Sequence, residues 1–339
     1  MTTMNRRIVL AARPKLEAAL EHFRMETVPL PEVGPDQVLV RHHFLSLDPY
    51  MRGRMSEAKS YAAPQPLDQV MIGGTVGEVV QSRHPNYQVG DRVAGYGGWQ
   101  EYSLVEGPAL VTLQKVDTRQ VPLSAYLGPV GMPGITAWYG LSKICEAKPG
   151  ETVAVSAAAG AVGSVVGQLA KMRGCRAIGI AGGRDKCAYV VEELGFDACV
   201  DYKAAGSAEA LSARLAEVAP KGIDAYFENV GGLVLDAVLP QMNAFGRIAV
   251  CGMIAGYEGA PVPIKQPTLI LRSRLKMQGF IVFEQPDTVP WAQAELASAV
   301  ASGRIKYRET IAEGLENAPA AFLGLLKGRN LGKQLVRLL

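Results

Sequence analysis

The stretch Ser156–Ser164, SAAAGAVGS, constrains this chain more than any other. Before it, Thr152–Ser156 (TVAVS) reads as a short apolar strand with β-branched residues at alternate positions. After it, Val165–Arg173 (VVGQLAKMR) reads as a helix that stops at Gly174. A strand, a tight turn of small residues and a helix open a dinucleotide-binding βαβ unit. The fingerprint G-x-G-x-x-G appears with Ala158 in first place, then Gly160 and Gly163. Gly160 would let the backbone approach a pyrophosphate, and Gly163 would let helix pack on strand. The N–H groups and positive dipole end at Ala161, Val162, Gly163 and Ser164 suit a phosphate.

The fingerprint alone also occurs as a plain strand-to-helix turn, so the next strand matters. It is Arg176–Gly182 (RAIGIAG), followed by Gly183, Arg184, Asp185 and Lys186. An NAD site usually carries Asp or Glu at this strand end, on the ribose 2′-hydroxyl. Here two small residues leave room and two cations flank the turn, which suits the 2′-phosphate of NADP(H). Asp185 stands late for the NAD role. A helix start is a poor place for an unpaired cation, which supports a phosphate partner for Lys186; a plain surface lysine is the other reading.

At 339 residues the chain is too long for one ordinary core, so two domains are expected. With 48% hydrophobic and 20% charged residues it is globular. A formal charge of +3 is too small for a nucleic-acid surface. No apolar run reaches a membrane span, and no long apolar signal core follows Met1–Arg7, so no membrane partner and a cytoplasmic location are expected. The five cysteines, Cys145, Cys175, Cys187, Cys199 and Cys251, form no C-x-x-C pair. They read as small residues in or near a core, with neither a disulfide framework nor a structural zinc site.

Up to about Pro122 the chain has short alternating runs punctuated by Gly and Pro, such as 37–42, 74–80 and 91–95, which read as an all-β domain. Tyr50 follows Pro49 and is expected on a turn or extended loop. Gly128–Leu141 reads as a passage ending in a helix over 136–144. Strands then alternate with helices, the strands at 198–200, 223–228, 246–252 and 275–283. That alternation implies a parallel, doubly wound sheet, with ligand-binding candidates at the strand ends Asn229 and Gly252–Tyr257. Helices are expected at 291–302 and 318–326, with strands at 308–313 and at the end of the chain. That last strand can return to the first domain's sheet. The boundaries expected are 1–126 with 303–339 for the first domain and 127–302 for the second. Trp99, Trp138 and Trp291 show no stacking pattern and are assigned to packing.

The segments DPYMRGRM, VGMPGITAWYGL, AAAGAVGSVVGQLAK, YFENVGG, GRIAVCGMIAGY and LKGRNLGK span nearly the whole chain. Together they resemble the medium-chain dehydrogenase/reductase superfamily, in its zinc-free alkenal/one oxidoreductase branch of prostaglandin reductases, plant double-bond reductases and curcumin reductases. The resemblance implies a GroES-like β domain plus a Rossmann domain, NADP(H), and reduction of a C=C bond conjugated to a carbonyl. It implies that Gly160–Ser164 meet the pyrophosphate, Gly183 and Lys186 the 2′-phosphate, and Tyr202 the adenosine end. It places Asn229, Cys251, Gly252, Met253, Ile254, Tyr257, Phe280, Ile281, Val282, Phe283 and Asn330 around the ribose and nicotinamide. Tyr50, Met132 and Tyr257 would border the substrate, and the strand from Leu275 would pair sheets in a homodimer. Zinc-dependent relatives carry Gly-His-Glu where this chain has Gly73-Gly74-Thr75, and His42, His43 and His84 have no cysteine near them in the first domain. The three ligands zinc needs cannot be assembled, and no metal is expected.

Hydride delivery to the β-carbon of an enone builds negative charge on the carbonyl oxygen, which needs a positioned donor. A tyrosine hydroxyl, with a pKa of about 10, donates at neutral pH. By residue type alone Tyr257 and Tyr50 read first as packed aromatics. The resemblance favours Tyr257 as the catalytic donor and leaves Tyr50 open between packing and substrate contact. Met132 could equally be core filler and Asn330 a turn residue. Two alternatives remain at this stage: a quinone oxidoreductase, since a quinone is also an enone, and a catalytically idle NADPH-binding structural or sensory protein.

Overall fold

A computed structural model of the chain describes residues 4–259 and 261–339; residues 1–3 and 260 lie outside that description. Two compact units result: one runs to Leu127 and includes Glu309–Asn330 and Gln334–Leu339, the other comprises Gly128–Arg308 with Leu331–Lys333. Residues 303–308 thus belong to the second unit and not, as expected from sequence, to the first. The Gln168 side chain explains this, since it donates to the Lys306 carbonyl and accepts from the Lys306 amide, both at 2.8 Å.

The first unit opens with an antiparallel pair, β1 (Met4–Leu10) and β2 (Phe23–Pro29). There follow β3 (Val38–Ser46), α1 (Tyr50–Arg54), β4 (Thr75–Ser82), β5 (Arg92–Gly95), β6 (Tyr102–Val105) and β7 (Gln114–Lys115). Tyr50 therefore opens a helix and does not sit in an extended loop. Pro49 already holds φ −59° and ψ −29°, and a proline costs little at a helix start because its missing N–H has no partner to lose there.

The second unit begins with α2 (Met132–Tyr139), earlier than expected because Pro133 sits harmlessly in the first turn. Then come β8 (Thr152–Ser156), α3 (Gly163–Met172), β9 (Arg176–Ala181), α4 (Arg184–Ala188), β10 (Ala198–Asp201), α5 (Tyr202–Ala205), α6 (Ala208–Val218), β11 (Ile223–Glu228) and α7 (Gly232–Val238). β12 (Met242–Val250), α8 (Thr268–Arg272), β13 (Lys276–Gly279) and α9 (Val289–Ala301) complete the series. The chain returns to the first unit as β14 (Glu309–Glu313), α10 (Ala318–Leu326) and β15 (Lys333–Arg337), and β15 pairs antiparallel with β3.

The second unit's sheet has six strands in the order β10-β9-β8-β11-β12-β13, every neighbouring pair parallel. β8 is central, and all five of its residues are buried, which is why it reads as a continuous apolar run. The first unit's sheet has seven strands, with β3 as its spine against β4, β6 and β15. Its core stacks Phe23 on Trp99, with ring centroids 5.4 Å apart, and sets Phe322 edge-on to both. Trp291, assigned to packing from sequence, is 75% exposed. The strand expected to reach Phe283 stops at Gly279, because Glu284 turns back to donate to the Ile281 carbonyl. No helix among the described residues is long and apolar enough to cross a membrane.

Candidate functional site

The turn between β8 and α3 has its left-handed residue at Ala157, with φ 50°. Its carbonyl oxygen accepts from the Gly160 amide at 2.8 Å and points at Gly163. A Cβ on Gly163 would lie 2.4 Å from that oxygen, so no larger residue fits without moving the turn. The Gly160 and Ser164 amides are taken by the Ala157 and Gly160 carbonyls; within this stretch Gly163 and Ser164 are buried, while Gly160, Ala161 and Val162 are half-buried. The tail is fastened here too: the Gly332 amide donates to the Ala159 carbonyl at 2.9 Å. This brings the chain just after Asn330 onto the turn, which nothing in the residue types foretold.

At the end of β9, Gly183 takes φ 104° and donates its amide to Asp201 Oδ1 at 2.9 Å. Asp201 also accepts from the amides of Lys203 and Ala204. Burial opposes its charge, but the three donors hold the carboxyl below its usual range. Asp201 thus ties β10 to the loop before α4, a role invisible in sequence. Tyr202 follows, its ring edge 2.8 Å from where a Cβ on Gly182 would lie. The Lys186 ammonium is held below its ordinary pKa, first by burial and then by the neighbouring Lys203. Two cations drawn together beside a small-residue turn fit an anion such as a ribose phosphate.

The ends of β8, β11 and β12 are joined by one buried network. Ser156 Oγ donates to Glu228 Oε1 at 2.8 Å and accepts from the Asn229 amide at 2.8 Å. Asn229 Nδ2 donates to the Ser156 carbonyl at 2.7 Å, and Val230 N–H reaches Glu228 Oε1 at 2.5 Å. Burial raises the Glu228 carboxyl above its ordinary range, and Oε2 has no hydrogen-bond partner. The backbone carries the network onward: Cys251 and Gly252 donate to the Glu228 carbonyl, Ile254 to that of Asn229 and Ala255 to that of Val230. Tyr257 ends this segment, and its hydroxyl would be 3.1 Å from a Cβ on Gly252. Met253 forms the cap of the turn Ile254–Gly256. Desolvation, and then Glu228, push the thiol of half-buried Cys251 up to about 12.

The remaining residues of the second unit divide. Phe280 packs against Tyr139 and edge-on to Phe227, and Val282 is in the core. Ile281 is half-buried and Phe283 exposed. Met132 opens α2, its carbonyl accepting from Thr136 Oγ1 at 2.7 Å. In the first unit, burial, and then Asp48, Tyr96 and Tyr61, raise Tyr50 well above an ordinary phenol. Its hydroxyl therefore stays a neutral donor across the working pH range.

The histidines do not build a metal centre. His42 is 2% exposed, lies 2.9 Å from Ser103 Oγ, and is pushed down to about 3 by burial and His43. His43 stands between Arg92 and Glu78, and His84 against Tyr87. Among the described residues no three His, Cys, Asp or Glu side chains could share a metal ion, so the donor set does not fit zinc.

A glycine turn at the centre of a parallel sheet in this strand order defines a dinucleotide-binding oxidoreductase fold. Comparison with known proteins agrees. Residues 6–113 match the N-terminal domain of oxidoreductase, and residues 161–298 match zinc-binding dehydrogenase. The NADPH-dependent curcumin reductase of Escherichia coli is 49% identical, the match covering 98% of this chain and 96% of that one. The NADP(+)-dependent 2-alkenal reductase of Nicotiana tabacum is 44% identical, over 89% and 88% of the two chains. The crystal structure of CurA from Vibrio vulnificus in complex with NADPH superposes with a TM-score of 0.91 at 45% identity, over 98% of this chain and 99% of that one. The chain belongs to the medium-chain dehydrogenase/reductase family, in its zinc-free alkenal/one reductase branch.

Proposed function

We propose that this chain reduces the C=C bond of α,β-unsaturated ketones and aldehydes with NADPH. The observation that carries the reading is the near end-to-end likeness to an NADPH-dependent curcumin reductase. Bound NADPH would supply the hydride. The amides of Ala161, Val162 and Gly163 would receive the pyrophosphate, and Lys186 with Lys203 the 2′-phosphate, under the ring of Tyr202. Asn229, the Cys251–Ile254 backbone, Tyr257, the Phe280–Phe283 segment and Asn330 would surround the ribose and nicotinamide.

The Tyr257 hydroxyl would donate to the carbonyl oxygen as it takes up charge, held over Gly252 by the network rooted at Glu228. Tyr50 and Met132 would border the substrate, and water would supply the proton to the α-carbon. We also propose a homodimer joined along β13, the outermost strand of its sheet, with the chain in the cytoplasm. Light scattering that finds a monomer at micromolar concentration would remove the dimer. Turnover of NADPH on linear enones, diaryl enones and quinones tests the activity. Faster turnover on quinones than on every enone would make the chain a quinone reductase, and turnover on none would leave a nucleotide-binding protein.

A further inference from the structure

The chain after Tyr257 is fastened to α7 by side chains that the reaction itself does not use. Val262 lies against two glycines at once. Its Cγ1 is 3.5 Å from where a Cβ on Gly232 would lie, and its Cγ2 only 2.8 Å from where one on Gly256 would lie. Gly232 opens α7 with φ 54°, a left-handed value that favours glycine. Gly256 takes no such φ, so what its missing side chain provides is room for Val262. Two residues on, Ile264 packs against the core that Val234, Leu235 and Val238 of α7 help to form. The Lys265 amide then donates to Asp236 Oδ1 at 3.0 Å. Asp236 lies on α7 and is 5% exposed, and a carboxyl that deep needs a donor. Gly256 in turn closes the turn Ile254–Gly256, and the Tyr257 amide donates to the Ile254 carbonyl at 3.1 Å. Pressure on Gly256 therefore acts on the backbone that carries Tyr257.

We propose that Val262 and Asp236 are positioning residues for the reduction: Val262, seated against Gly232 and Gly256 and held there by the bond from Lys265 to Asp236, fixes the turn that aims the Tyr257 hydroxyl. The effect on rate rests on the reading of Tyr257 as donor to the carbonyl oxygen; the packing does not. The turn Ile254–Gly256 has no buried side chain of its own. Its start is tied by backbone, with Ile254 donating to the Asn229 carbonyl and Ala255 to that of Val230. Its end at Gly256 rests on Val262. A methyl group at position 256 and the valine at 262 cannot keep their places together, because 2.8 Å is closer than carbon atoms approach without one of them moving. A donor displaced by about 1 Å loses about a hundredfold in rate, so a small shift of this turn is enough to be read in turnover.

The test compares Gly256→Ala, Val262→Ala and the variant carrying both in the full-length enzyme. It reads the single-turnover rate of hydride transfer from NADPH to a slow enone, and hydrogen exchange at the amides of Gly256 and Tyr257. Each single variant should react about tenfold more slowly and exchange faster. The double variant, whose new methyl group at 256 fills the space vacated at 262, should recover most of both. Asp236→Ala should behave as Val262→Ala does, while Asp236→Asn, which keeps an acceptor oxygen, should stay near wild type. In a Tyr257→Phe background Val262→Ala should slow the reaction no further, since the two changes act through one hydroxyl. Single variants with wild-type rates overturn the positioning role, and slowed variants that the double does not rescue overturn the shared seat. Rescue in the double together with a full further loss in the Tyr257→Phe background supports the seat but removes the Tyr257 hydroxyl as the donor.

Discussion

Ser156 Oγ donates to Glu228 Oε1 at 2.8 Å while accepting from the amide of Asn229, so one hydroxyl joins the ends of β8 and β11 at the candidate site. Glu228 is fully buried and its second oxygen has no hydrogen-bond partner. Its carboxyl is raised above the unfolded value by burial. A raised acid favours folding most while the group stays protonated. That stability is fully present below the unfolded pKa, near 4.3, and is lost as pH rises through the folded pKa. Glu228→Gln keeps the acceptor oxygen and removes the titration. The wild type should therefore lose stability relative to Glu228→Gln as pH rises from about 4 toward neutrality. Melting curves across pH check this, and parallel curves contradict it. Glu228→Ala removes the acceptor of the Val230 amide and of the shorter Ser156 hydroxyl bond and leaves a cavity, and should cost about 2–4 kcal/mol.

Lys186→Ala should weaken NADPH by about tenfold to a hundredfold and leave NADH nearly unchanged, since a charge-assisted contact to phosphate contributes about 1–3 kcal/mol. The like-charged neighbour Lys203 sharpens the expectation, because both ammoniums gain from an anion between them. Fluorescence titration with each nucleotide measures it. Equal losses would take Lys186 out of the phosphate site.

Exhaustive chelation should leave turnover intact. His42 is held neutral inside its sheet, and the donors zinc requires do not converge among the described residues. Activity lost to a chelator and regained with zinc would contradict this.

Tyr257→Phe should slow hydride transfer by about tenfold to a hundredfold in a single turnover, less than the full loss of an oxyanion donor because the ribose hydroxyl remains. NADPH affinity should barely move. Tyr50→Phe should have the smaller effect on that step and the larger on KM. Single-turnover rates on a slow enone decide it, and wild-type rates for Tyr257→Phe would remove its hydroxyl from the chemistry.

The sheet was legible because its strands are apolar runs set between helical periods, and β8 announces its burial in every residue. The turn was legible as small residues, but the strained position is Ala157, one residue before the place where the fingerprint expects its first glycine. Asp201, Glu228 and the Gly332 clasp stayed hidden because each acts through a partner 18 to 173 positions away. The Phe280–Phe283 stretch misled because aromatic and β-branched residues suit a strand, whereas Phe280 spends its ring on Tyr139 and Phe227 and the chain turns after Gly279.

The central claim is that hydride goes to the β-carbon of an enone. NADPH deuterated at the transferring position, turned over with an enone and read by NMR, tests it most directly. The account predicts a saturated ketone carrying one deuterium at the β-carbon and a solvent proton at the α-carbon. An allylic alcohol with deuterium on the former carbonyl carbon would contradict it.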